Sequence, residues 1–228
     1  MIRELIRLSR SAKEHGFYRK GMTMFRLHGD GVLQILKLEK ERLSKQWAIS
    51  LGLQSVYMES LPRWFTSLGS IPRYFVHNIA GERNLINLKT TRFEHEMKIL
   101  EEKGYSWLDG IITQETLAEA ICFLDTVFSG SVICSDSMKF APYLHSAQYD
   151  QAENVITSML ERNHHAEEVM QQWQWAKESD GGEYMERIHD DNMKLEKLLQ
   201  MVRNRDLKEI QDYLKSNYTA NMTHIRRK

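Results

Sequence analysis

Two cysteines, three prolines and no net charge are the first things this 228-residue chain is short of. Two thiols cannot form a disulfide framework. Cys122 on an apolar helical pattern and Cys134 beside Ser131-Val132-Ile133 fit a reducing compartment, where a bridge between them is not expected. No apolar run approaches the roughly 20 residues that a spanning helix needs, which excludes a helical membrane protein. Near the N-terminus Arg3, Arg7 and Arg10 interrupt the leucines and isoleucines, so the continuous apolar centre of a signal peptide is missing and a cytoplasmic protein is expected. There is also no phosphate-binding glycine loop and no strand-to-helix serine elbow, and no metal-ligand spacing accompanies the N-terminal strands. What is present, 42% hydrophobic and 27% charged residues, is enough for one large core or two small ones.

The most legible segment is a hairpin. Gly29-Asp30-Gly31 supplies two glycines able to reach positive φ around an aspartate that can bond its own backbone. Upstream, Thr23, Phe25 and Leu27 alternate with Met22, Met24 and Arg26. Downstream, Val32, Gln34, Leu36 and Leu38 alternate with Leu33, Ile35 and Lys37, the two-residue period of a pleated strand. A third run puts Trp47, Ile49, Leu51 and Leu53 on one face, with Ala48, Ser50, Gly52 and Gln54 on the other, predicting one core face and one small or polar face. Before the hairpin, Ile2, Leu5, Ile6 and Ala12 recur at helical spacing, and Gly16-Phe17 reads as a left-handed stop followed by an apolar residue. This helix is expected to cover the Trp47 face. The unit is α+β: a small antiparallel sheet of three to four strands packed with helices.

The order of a helix, His15-Gly16-Phe17-Tyr18-Arg19-Lys20-Gly21, Phe25-Arg26, Gly29-Asp30-Gly31-Val32-Leu33-Gln34-Ile35 and a strand ending in Leu51-Gly52-Leu53 resembles the bacterial family catalogued as domain of unknown function 4304. The motif-bearing part covers about the first 57 residues. Tyr143-Leu144 and Gln148-Tyr149-Asp150-Gln151-Ala152 are similar to a further segment of such proteins. After Tyr57 the chain departs from the family, whose arginine-rich segment and paired tryptophans correspond here only to Arg73-Tyr74 and Trp64-Phe65. The family has no settled activity, so the resemblance implies a fold and a bacterial cytoplasmic setting and transfers no catalytic residue.

The remainder reads as helices. Met58 to Thr90, with Pro62, Pro72, Gly69 and Gly81, reads as irregular. A helix carrying Phe93, Met97 and Leu100 is expected to stop at Gly104-Tyr105. Thr113 caps a helix with Leu117, Ile121, Leu124 and Phe128 on one stripe, ending near Ser129-Gly130. A longer stripe from Tyr149 through Ala152, Val155, Ile156, Met159 and Met170 to Trp173 is broken by Gly181-Gly182. Its partner carries Tyr184, Ile188, Leu195, Leu198, Leu199 and Val202, and Asp206 with Glu209 forms a capping box for a last helix. Short connections predict an antiparallel bundle. The division expected is an α+β domain over residues 1–130 and a helical bundle over 131–228, packed on the first domain or separate from it.

Charge is polarised. Residues 1–83 carry 14 Lys and Arg against 7 Asp and Glu, and residues 84–228 carry 17 against 24. This is either a basic surface for an acidic partner or two complementary halves packed together. Within the basic part, Tyr18, Arg19, Lys20, Arg26, Gln34 and Lys37 lie on or beside strands and form the candidate binding surface for a phosphate backbone or an acidic protein. Lysines on an edge strand equally serve to prevent sheets from pairing.

Acid-base and metal chemistry have weaker footing. Glu161-x-x-His164 and Glu186-x-x-His189 have the spacing of carboxylate-bridged di-metal bundles. With a hairpin turning at Gly181-Gly182 the two motifs are offset by roughly 15 Å at 1.5 Å rise per residue, and both face away from their apolar stripes, so they read as solvated side chains. His164-His165, Glu167-Glu168 and His189-Asp190-Asp191 read as wet helix faces, Ser135-Asp136-Ser137 as a loop, and Cys122 as a buried structural thiol. Met159, Met170, Met185, Met193 and Met201 read as adaptable packing. No metal, cofactor or catalytic residue is assigned. The expected function is a non-enzymatic protein-interaction module, immunity-type or regulatory; nucleic-acid binding through the basic sheet is the second reading, and a hydrolase built on the bundle histidines and carboxylates the third.

Overall fold

In the computed structural model, residues 1–40, 45–59, 74–82, 90–127, 135–171 and 179–226 are described. Helix α1 (Ile2–Glu14) leads into a five-stranded antiparallel sheet in sequential order, made of β1 (Tyr18–Lys20), β2 (Thr23–Leu27), β3 (Val32–Lys40), β4 (Trp47–Ser55) and β5 (Tyr74–Phe75). Helices follow: α2 (Val76–Ile79), α3 (Arg92–Ile99), a π-helical turn Leu100–Gly104, α4 (Tyr105–Asp109), α5 (Gln114–Val127), α6 (Ser135–His145), α7 (Tyr149–Gln171), α8 (Ser179–Arg203) and α9 (Leu207–Arg226). The class is α+β, with the C-terminal part helical.

The local signals explain the first elements. α1 ends in a Schellman motif: Gly16 has φ of 78°, its amide donates to the Lys13 carbonyl, and the Phe17 amide donates to the Ala12 carbonyl at 3.0 Å. At the β2–β3 hairpin the Gly31 amide donates to His28 and the His28 amide to Val32, each at 2.9 Å. Only Gly31, at φ 75°, is left-handed. It sits after the first turn as a bulge residue, and a Cβ there would lie 2.5 Å from Val56 Cγ2.

The sheet carries core on both faces, a correction to the one-sided reading. Leu8 and Ala12 of α1 join Leu36, Leu38, Ile49, Leu51 and Leu53 on one face. On the other, Leu33, Ile35 and Val56 are covered by Tyr218, Met222 and Ile225 of α9. Gln54 and Ser50, expected on a polar face, are buried. Gln54 stands directly opposite Leu33, which α9 covers from far along the chain, and Ser50 bonds the Lys37 carbonyl and pairs with Phe75 of β5; no local period reports either partner.

The helical half is joined to the sheet through α6 and α9. Met138 and Ala141 of α6 enter the sheet core, while Phe140 and Leu144 enter the bundle core with Ala152, Ile156, Leu195 and Ile210. Asn221 of α9, almost fully buried, donates through Nδ2 to the Val56 and Met58 carbonyls at 2.7 Å each. Lys139 of α6 bridges Asp125 of α5 and Asp136, Tyr74 donates to Asp125 at 2.7 Å, and Arg162 of α7 completes the chain at Asp136. Asp136 therefore lies in the first turn of α6 and not in a loop. Burial pushes its carboxyl up, but the hydrogen bonds from Arg162 and Lys139 outweigh this and hold it below the usual range.

Two helix boundaries differ from expectation. Gly104 is right-handed, at φ −64°, and the helix continues through it into α4. Tyr105 is buried, stacked on His15 at 3.7 Å with its hydroxyl 2.9 Å from Ser11, so it is a packing residue inside the helical path and not the apolar residue after a stop. Gly181 and Gly182 lie inside α8, not at a turn. The expected caps at Thr113 and Asp206 are present, accepting from the Thr116 and Glu209 amides at 3.2 and 3.1 Å. The expected stripe positions Phe128 and Trp173 and the stop at Ser129-Gly130 lie outside the described residues, as do Cys134 and the segment with Trp64 and Arg73.

Candidate binding face on the first helix and strand

The six residues expected to form a binding surface separate into two groups. Arg26 and Gln34 are internal. The Arg26 guanidinium donates through Nε and Nη2 to Gln34 Oε1 at 2.9 and 2.7 Å, and through Nη1 to the His15 carbonyl at 2.8 Å and Asp109 at 2.6 Å. It also lies 4.7 Å from the centre of the Phe17 ring. Gln34, fully buried, donates to the Leu108 and Ile111 carbonyls at 2.6 and 2.9 Å. These two side chains fasten the hairpin to the end of α4. Lys37 is paired with Glu39 at 2.9 Å along the same strand.

Tyr18, Arg19 and Lys20 stay at the surface, as all three residues of β1 are exposed. Tyr18 is 72% exposed, its ring tilted over Phe25. Arg19 donates through Nε to the Gly21 carbonyl at 2.9 Å. β1 lies directly after α1, and the two elements enlarge the candidate surface with residues the sequence reading passed over. Arg3, Arg7 and Arg10 recur at i, i+4 and i+7 and share one stripe of α1, a spacing legible in the sequence. Arg7 is neutralised by Glu94 and by Glu101 at 3.8 Å. Arg3, Arg10, Lys13 and Arg19 form no ion pair with a described carboxylate. Between these cations Ile2 is 70% exposed and Ile6 49%.

Two clefts flank α1. One, of about 490 Å³, is lined by Arg3, Ile6, Arg7 and Arg10 together with Ser11, Glu14, His15 and Glu101. The other, of about 290 Å³, lies between α1 and β1 and is lined by Ser9, Lys13, Gly16, Phe17, Tyr18 and Arg19, with no carboxylate among them. A third cavity of about 420 Å³ lies between α8 and α9, where Lys194 and Lys197 are met by Glu59, Glu209 and Asp212. Its carboxylates outnumber its lysines three to two, and burial pushes the Tyr213 hydroxyl in its wall up to about 12.

The polar clusters with acid-base potential are committed to structure. The Glu96 carboxylate, fully buried, accepts from His77 Nδ1 at 2.8 Å, from Arg92 Nε at 3.0 Å and from the Ile49 backbone amide. Among the described residues β5 pairs with Ser50 and Leu51 of β4, so Glu96 satisfies the peptide group just beyond the Ser50 end of that pairing. Cys122 is half-buried with Sγ 3.2 Å from the Tyr143 hydroxyl.

The Glu-x-x-His pairs need a corrected geometry. Glu153 meets Arg203 at 2.7 Å and Asn163 meets Asn192 at 2.8 Å, so α7 and α8 pair about a centre near residue 178, and His164 and His189 are offset along the axis by only about 4 Å at 1.5 Å rise while Glu161 and Glu186 lie about 13 Å apart along it. The separation expected from a turn at Gly181-Gly182 is overturned. What remains is facing: Glu161, His164, Glu186 and His189 are all exposed, and among the described residues no three His, Cys, Asp or Glu side chains gather at one point. Met193, expected in the packing, is 52% exposed on the outer face of α8.

No described helix is long and apolar enough to cross a membrane. Comparison with protein-family models, with curated proteins and with solved structures finds no match.

Proposed function

We propose that this chain is a cytoplasmic, non-enzymatic binding module, immunity-type or regulatory, that engages an acidic protein partner through the face formed by α1 and β1. The N-terminal resemblance to the bacterial domain of unknown function 4304 family belongs to the same proposal. The observation that carries it is the set Arg3, Arg10, Lys13 and Arg19, four cations without a described carboxylate partner, interleaved with exposed Ile2, Ile6 and Tyr18. Other surface arginines are paired with carboxylates, Arg7 on the same helix and Arg203 and Arg205 at the end of α8. Aliphatic side chains between the cations suit a protein interface, with an apolar centre and a charged rim that steers association, better than a phosphate backbone.

The test is affinity capture from the native host with the wild-type chain and with a triple variant, Arg3→Glu, Arg10→Glu and Arg19→Glu. An acidic protein held stoichiometrically by the wild type and lost by the variant is the expected result. Recovery of the same proteins by both chains removes the face from the function. A steeply salt-dependent gel shift with DNA or RNA, lost in the variant, would replace this reading with nucleic-acid binding.

A further inference from the structure

We infer that the free edge of β1 takes up an extended, acidic peptide segment of the partner as a sixth strand, seated in the cleft between β1 and α1. The inference rests on the binding role proposed for the α1–β1 face and specifies how that face is used.

The phase of the hydrogen-bond ladder determines which peptide groups the edge offers. The Leu38 amide donates to the Met22 carbonyl at 3.1 Å and the His28 amide to Val32 at 2.9 Å. Even-numbered residues of β2 therefore turn their peptide groups towards β3, and Thr23 and Phe25 turn theirs towards β1. Their register partners are Lys20 and Tyr18, which spend their peptide groups on β2. Arg19, between them and opposite Met24, directs its amide and carbonyl off the open side of the sheet. Neither group has a partner among the backbone bonds of the described residues.

An approaching strand meets the cleft of about 290 Å³ lined by Lys13, Phe17, Tyr18 and Arg19. Phe17 is buried and forms the apolar floor, while Lys13 on the helix and Arg19 on the strand supply positive charge from two walls. A strand entering between a helix and a sheet edge gains affinity from main-chain bonds and selectivity from its side chains. Here the selected side chains are carboxylates.

The same charges argue against a second copy as occupant. Antiparallel pairing of two β1 strands about their centres sets Arg19 against Arg19, and like charges directly opposite are destabilising. Gly16 and Gly21, at φ 78° and 61°, turn the chain away at either end of β1 and hold the docking site to one short strand.

The probe is a fluorescein-labelled peptide of alternating Glu and Val residues, titrated at low salt against the full chain and followed by anisotropy. Saturable binding is expected, with slowed hydrogen exchange at the Arg19 amide and loss of binding when every peptide amide is N-methylated. Lys13→Glu is expected to weaken binding at least tenfold. Arg19→Gln removes only the charge, whereas Arg19→Pro also removes the outward amide without touching the β1–β2 ladder; the proline variant should bind at least several-fold more weakly than the glutamine variant. Circular dichroism establishes that each variant is folded.

Equal binding of the two Arg19 variants overturns the inference, as does indifference to N-methylation, equal affinity for a Lys-Val peptide, or no saturation at millimolar peptide. A dimer in sedimentation that Lys13→Glu dissolves assigns the edge to a second copy and overturns it as well. If the peptide fails while the captured partner is still lost by the triple variant, contact moves to the Arg3–Arg10 side of α1 and the binding face stands. If both fail, the face itself is removed.

Discussion

Replacing Gly31 by alanine, and separately Gly29 by alanine, divides a signal that looks uniform in the sequence. Gly31 has φ of 75°, a conformation that costs an L-residue with a Cβ about 1–2 kcal/mol. The added Cβ would lie 2.5 Å from Val56 Cγ2 and 2.9 Å from Tyr57 Cε2, both closer than real Cβ contacts come. Val56 is fully buried and its amide donates to the Gly31 carbonyl at 2.9 Å, so the two segments cannot move apart without losing that bond. Relieving the overlap adds about 1–3 kcal/mol, and the total is about 2–5 kcal/mol. For a domain of this size one kcal/mol moves Tm by about 2–4 °C, which places the Gly31→Ala loss at about 4–20 °C. Gly29 is not left-handed and its Cβ would have no neighbour within 4 Å. Gly29→Ala should therefore be neutral, or stabilising by up to about 1 kcal/mol through the unfolded chain. Urea denaturation and thermal melts of both variants decide the matter. A Gly31→Ala loss under about 0.5 kcal/mol, or equal losses for the two, would refute the assignment of Gly31 as the sterically required residue.

Two further outcomes follow from buried polar groups. Asn221→Ala leaves the Val56 and Met58 carbonyls without their donor, and at about 1–3 kcal/mol for each buried unsatisfied group the melt should fall by several degrees; hydrogen exchange should show the end of α9 opening before the sheet. His28 has a buried Nε2 without a partner among the described residues, and burial first, then the Arg26 charge, hold its folded pKa below the ordinary value. The unfolded chain then binds the proton more readily, so this contribution is complete above pH of about 6.5 and is lost as pH falls through that value and the lower folded pKa. A flatter stability profile between pH 7 and 5 in His28→Gln is expected, and an unchanged slope would exclude His28 as its source.

Legibility followed the range of the interaction. Gly16-Phe17, Thr113 and Asp206 were readable because a cap is settled by residues within five positions of one another. Ala147 and Arg205 end α6 and α8 in the same left-handed conformation, at φ 56° and 49°, without the glycine that would have announced them. Gly104 carried the stop signal and has another use: its Cβ would meet Leu100 Cδ1 at 2.9 Å, so the glycine makes room in the π-helical turn. Of the candidate site, Tyr18, Arg19 and Lys20 were legible from the hairpin. The contribution of α1 required knowing which arginines of the Arg3, Arg7 and Arg10 stripe find carboxylates, and Glu94 and Glu101 lie some 90 residues away.

By itself the sequence determined the strand alternation, the hairpin at Gly31, the capped helices and the excess of positive charge in the first 83 residues, since each depends on neighbours along the chain or on composition. Tertiary structure alone decided that Arg26 and Gln34 are fasteners and that Arg19 lies on the outermost described strand, that α9 covers the second face of the sheet, and that α7 and α8 bring His164 and His189 nearly level but facing outward. The physical reason is common to these cases. A side chain's charge and size belong to the residue, but whether it is spent inside the fold or left for a partner depends on what distant segments bring against it.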